Sequence, residues 1–99
     1  MMMTEELYEV LTEADVIRTQ GQFSQLCGRK FSWTSSAIST GREMSLEATL
    51  ACYCNLLAIR DAAAREQDFA SYEDLNRICQ WLWNDMCSGV ESLCQSLAA

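Results

Sequence analysis

The sequence predicts an all-α fold, one compact domain of about five helices. Three observations lead there. None of the 99 residues is proline, so nothing forces a helix to break or kink. Ala, Leu, Glu and Gln outnumber Val, Ile and Thr, and glycine occurs only at Gly21, Gly28, Gly41 and Gly89. Apolar residues then recur at spacings of three and four along most of the chain. This length makes one domain, residues 1–99, able to bury a core without metal or disulfide staples.

The first helix is expected over residues 4–17. Thr4 is its N-cap, Glu5 and Glu6 occupy the first turn where the macrodipole favours anions, and Leu7, Val10, Leu11 and Ala14 repeat on one face. Thr19 caps a second helix, Gln20 to Cys27, whose Phe23 and Leu26 face inward and which Gly28 ends. Arg29 to Phe31 turn the chain. Ser32 caps a third helix, Trp33 to Thr40, with Ile38 facing Phe23 and Leu26, and Gly41 closes it.

Ser45 opens a fourth helix running towards Gln67, with an apolar face of Leu46, Leu50, Tyr53, Cys54, Leu57 and Ala58. Asp61 and Arg65 form a favourably oriented i,i+4 pair on it. Phe69 to Ser71 break the chain, and Ser71 caps the last helix, residues 71–98. That helix carries Leu75, Ile78, Cys79, Leu82, Met86, Val90, Leu93, Cys94 and Leu97 in a coiled-coil-like stripe. Gly89 within it admits a close approach by another segment.

Charge is segregated along the chain. The net charge is −7, yet residues 17–45 hold Arg18, Arg29, Lys30 and Arg42 against Glu43 alone, a balance of +3; the remainder carries −10. Non-selective binding to nucleic acid or anionic membranes is thereby disfavoured, and only a local basic face could bind a polyanion. The N-terminus MMMTEEL lacks a basic and apolar leader, and no apolar run is long enough to span a bilayer, so a cytoplasmic protein is expected. Six cysteines without a CxxC spacing, and no histidine, read as small buried hydrophobes and not as a metal site. Cys52 and Cys54 lie on nearly opposite sides of a helix. No nucleophile–base pairing or phosphate-binding glycine loop is present, so neither catalysis nor a cofactor is expected. The carboxylates Glu5, Glu6, Glu9, Glu13 and Asp15 read as a solvated face.

The segment Phe23 to Leu50 runs in a telling order: a short amphipathic helix, a glycine turn, a Ser/Thr-rich helix, a second glycine, then a Ser-capped apolar helix. That is how a helix-turn-helix is written. Phe23-Ser24-x-Leu26-x-Gly28, the Ser/Thr run to Ile38, Gly41-Arg42 and Met44-Ser45-Leu46-Glu47-Ala48-x-Leu50 together resemble small repressors of the Cro/C1 type over Thr19 to about Ala58. The resemblance implies duplex DNA as the partner, with the third helix in the major groove. Arg29, Lys30 and Arg42 would meet phosphates, helped by Gln20 and Gln22 at a helix start; Ser32, Trp33, Ser36, Ser39 and Thr40 would face the bases. The third helix has no Arg, Lys, Asn or Gln, the residues of bidentate base contacts, so low specificity is expected.

The last helix is expected to pair two copies through Leu75, Ile78, Leu82, Trp83, Met86, Val90, Leu93 and Leu97, giving a homodimer. Trp81 and Trp83, two apart, cannot both face the core, so one should stand exposed. The leading expectation is a small transcriptional regulator of phage or bacterial type. The rival is an acidic adaptor or inhibitor that binds a basic, nucleic-acid-binding protein.

Overall fold

A computed structural model describes residues 1–98, with side chains described through residue 91. It consists of α1 (Thr4–Glu13), α2 (Gln20–Leu26), α3 (Trp33–Ser39), α4 (Leu46–Arg65) and α5 (Phe69–Ala98). The all-α expectation holds, and no strand is present among the described residues. No described helix is long and apolar enough to cross a membrane.

The first four helices stop in the same way. In each, one residue past the cap takes a left-handed conformation and the next N–H reaches back to a carbonyl five residues earlier. Gly28 (φ 67°) and Gly41 (φ 64°) do this at α2 and α3, as their sequence positions imply. Asp15 (φ 58°) and Gln67 (φ 61°) do it at α1 and α4. Asp15 therefore ends α1 at Glu13, four residues short of the expected boundary. Gln67 places the break at Glu66 to Asp68, and α5 begins at Phe69, where the Asp68 carboxylate accepts the Ser71 N–H at 3.3 Å. Ser71 is thus inside the helix and does not cap it.

Thr4 is the first residue of α1 and not its cap; Met3 holds that position without a side-chain bond. The Thr4 hydroxyl is buried with no hydrogen-bond partner. Residues on either side of Met3 clasp the segment after α3. Thr4 N–H donates to Arg42 C=O at 3.1 Å, and Met44 N–H donates to Met2 C=O at 2.9 Å. Met2 and Met44 enter the core through this clasp. Met1 then lies against Gly89, whose absent Cβ would sit 3.4 Å from the Met1 Cγ.

One core joins Leu7 and Leu11 of α1, Phe23 of α2, Ala48, Cys52 and Leu56 of α4, and Leu75, Ile78, Cys79 and Leu82 of α5. The buried stripe of α4 is Ala48, Thr49, Cys52, Leu56 and Ala63. The expected face is rotated away from it: Leu46, Leu50, Cys54 and Ala58 are exposed, while Tyr53 and Leu57 are half-buried. Apolar residues occur all round α4, so spacing alone did not fix its phase. Asp61 pairs with its neighbour Arg60 at 3.2 Å, not with Arg65. Arg60 also donates to Asn76 Oδ1 at 3.1 Å and lies over the Tyr72 ring, tying α4 to α5.

Of the homodimer seam read from α5, four residues turn inward instead. Leu75, Ile78, Leu82 and Met86 are buried within the chain itself, because α5 turns that stripe onto α4. Leu75, Ile78 and Leu82 therefore have little surface left for a second copy, while Met86 keeps an edge at the surface beside Trp83. Trp83 and Val90 are exposed, and Trp81 packs against the core, as two tryptophans at this spacing require. The side chains of Leu93, Cys94 and Leu97 lie outside the described residues. Cys27, Cys52 and Cys79 are buried free thiols, Cys87 is half-buried and Cys54 is exposed.

Candidate nucleic-acid interface

The α2–α3 pair is built from short helices that need outside help, since seven residues scarcely support a helix alone. For α2 that help is local. Thr19 Oγ1 accepts the Gln22 N–H at 3.1 Å, and Gln22 Oε1 accepts the Arg18 and Thr19 N–H groups at 2.6 and 3.3 Å, a capping box. Gln22 is therefore committed to the cap through its carbonyl oxygen, and only its amide NH2 remains for a ligand.

For α3 the help comes from α2. Ser32 has helical backbone angles and makes no side-chain cap. The Thr34 N–H instead donates to Ser24 Oγ at 3.1 Å, and the two hydroxyls, both buried, lie 2.5 Å apart. Thr34 Oγ1 reaches Gln20 C=O at 2.9 Å; Ser24 Oγ reaches Gln20 C=O and Phe31 C=O at 3.1 and 3.2 Å. Beside this polar clamp, Trp33 stacks on Phe23 with ring centroids 6.1 Å apart. Trp33 is thus half-buried as a wall of the core and is not free to read bases. Ile38 is only half-buried, and Trp33 takes the pinning role expected of it.

With Thr34 and Ala37 inward, α3 turns Ser35, Ser36 and Ser39 outward, followed by exposed Thr40. Ser39 and Thr40 donate their hydroxyl protons to Ser36 C=O at 3.1 and 2.8 Å, so they face solvent mainly as acceptors. Gln20 and Ser32 are exposed as expected. So are Arg29, Lys30 and Arg42. The Arg29 guanidinium is partly engaged at the start of α4, 3.3 Å from Ser45 Oγ and 3.8 Å from the Glu47 carboxylate. Ser45 at the same time caps α4 by accepting the Ala48 N–H at 3.1 Å. Lys30 and Arg42 make no ion pair among the described residues.

The charge segregation read from the sequence has a structural counterpart: no carboxylate occurs between Asp15 and Glu43, in a chain holding 14 acidic residues. One feature of this surface was not singled out from the sequence. Phe31, between Lys30 and Ser32, is 72 % exposed. Its ring lies on Gly21, where a Cβ would come within 2.1 Å of it; a glycine in the first turn of a short helix was the available signal.

Among the described residues the cysteines form no rival site. The Cys52 thiol is held far above its ordinary range by a hydrogen bond with Cys27 and by burial, and burial also raises Cys79. Both are inert protonated thiols at neutral pH. No group of three His, Cys, Asp or Glu side chains suited to a metal occurs among the described residues.

No curated protein and no solved structure matches the chain. A family model covers residues 4–98, and on that match, which takes in all five helices, the chain belongs to a family of unknown function (DUF6626).

Proposed function

We propose that the chain is a small helix-turn-helix DNA-binding protein of transcription-regulator type, which lays the outward face of α3 against duplex DNA. The observation that carries this reading is the carboxylate-free run from Val16 to Arg42, which includes all of α2 and α3 and both flanking turns. A chain of charge −7 is repelled by DNA unless its acidic groups lie elsewhere. The small hydroxyl side chains of α3 allow close approach, while Lys30 and Arg42, before and after α3, are free for phosphates. Arg29, shared with Glu47, contributes less. Readout rests on Ser36, Ser39 and Thr40 and is of low specificity, since none of them makes the bidentate contacts that discriminate bases strongly.

Fluorescence anisotropy with mixed-sequence duplex DNA tests this. Three phosphate contacts give a slope of about −2.7 in log affinity against log salt, a loss of roughly 40-fold between 50 and 200 mM. Lys30→Glu with Arg42→Glu should abolish binding. Absence of any salt-dependent binding at low ionic strength overturns the reading. The rival role, as an acidic binder of a basic protein, draws on the exposed Glu5, Glu6, Glu9 and Glu13 of α1 and predicts that the double variant leaves such binding intact.

A further inference from the structure

We infer that the groove between the first half of α4 and the second half of α5 is a self-association surface, filled by the same groove of a second copy. Leu46, Leu50, Trp83 and Val90 are each 42–50 % exposed, a high value for large apolar side chains. They do not lie scattered: with Met86, Cys87 and Glu91 they line one groove of about 340 Å³. Trp83 is braced at its edge by Tyr53, ring centroids 5.6 Å apart. A contiguous patch of this kind marks an interaction site, and a partly exposed tryptophan at its centre is a typical anchor.

Charge selects the occupant. Residues 48–59 of α4 carry no charge, and between Ile78 and Val90 α5 carries only Asp85, whose carboxylate accepts the Met2 N–H at 3.2 Å. The groove therefore offers a basic helix only one lining carboxylate, Glu91, next to Val90. Two copies of a −7 chain repel one another over their acidic surfaces, and this uncharged face is where they can meet. A two-fold axis across the helices runs them antiparallel, so the Glu91 end of each copy lies far from that of the other. The product is a four-helix layer of α4 and α5 from each chain, which shares only Met86 with the buried α5 stripe.

The test uses the full chain without DNA, so its result is independent of the reading of α3. Sedimentation equilibrium from about 1 to about 200 µM should show twice the 11.2 kDa chain mass at the upper end. Leu50→Glu and Val90→Glu, at half-exposed positions that leave the circular dichroism unchanged, should raise the dissociation constant by roughly a hundredfold or more, since each dimer carries the change twice. Maleimide labelling of Cys87, mapped by mass spectrometry, should be slower in the concentrated wild type than in Leu50→Glu. A wild type that stays at 11.2 kDa throughout assigns the groove to a foreign helix and overturns the proposal. So does a dimer that survives both substitutions, or equal Cys87 labelling in the two proteins.

Discussion

Replacing Ser24 by Ala should unfold the α2–α3 pair far more readily than replacing Thr34 by Val, although the two hydroxyls touch. Ser24 Oγ is the acceptor for the Thr34 N–H, one of the unpaired donors at the start of α3. Alanine leaves that buried N–H without a partner, which costs about 1–3 kcal/mol, and removes a donor to Phe31 C=O worth about 1 kcal/mol. The expected total is about 3 kcal/mol, a fall in melting temperature of roughly 12–24 °C for a domain of this size. In Thr34→Val the backbone bond survives, and Ser24 can still donate to Gln20 C=O at 3.1 Å. The loss there is about 1 kcal/mol, or roughly 4–8 °C. Urea and thermal unfolding followed at 222 nm measure both, and the double variant should show coupling of about 1 kcal/mol. Equal costs for the two single variants, or strictly additive ones, would refute the idea that α2 caps α3.

Other perturbations test other parts of the fold. Cys52→Ser places a hydroxyl against Cys27 in the core and should cost about 1–3 kcal/mol, whereas Cys54→Ser, exposed on the same helix, should stay within about 0.5 kcal/mol; the reverse order in a urea titration would contradict the assigned phase of α4. Thr4→Val removes a buried hydroxyl without a partner at constant shape and should raise stability by about 1 kcal/mol, seen as a melting point several degrees higher; a drop would show that the hydroxyl is bonded after all. Because Cys52 and Cys79 hold their protons more tightly folded than unfolded, their contribution is intact below pH 9.0, the ordinary thiol value. Above it the unfolded chain loses protons first, so stability should decline as pH rises, and the decline should shrink in Cys79→Ala.

Much of the helical plan was legible because its signals are local. The Thr19–Gln22 box, the Ser45 cap and the two left-handed glycines are written within four residues of the ends they define. What failed was set by contacts distant in sequence. Ser32 looked like the cap of α3, but the acceptor belongs to Ser24, in another helix. The face of α4 was misjudged because both of its sides are apolar and only the docking of α5 chooses between them. Asp15 and Gln67 ended helices in a conformation that glycine usually announces. Among the site residues, the exposed basic groups were readable from charge alone. The inward turn of Trp33 was not, since an aromatic at a helix start can face either way until Phe23 stacks on it.

The clasp between Met2–Thr4 and Arg42–Met44 ties the start of α1 to the end of α3. Each short helix can flicker into being from neighbouring residues, but the two clasp bonds join segments about forty positions apart and close a large loop. The entropy of closing that loop is offset only when α1, α2 and α3 pack together. Until then Met2 and Met44 remain outside the core they help to fill. The clasp thus turns a row of separately fraying helices into a unit that opens as a whole, with the N-terminal strip acting as its latch.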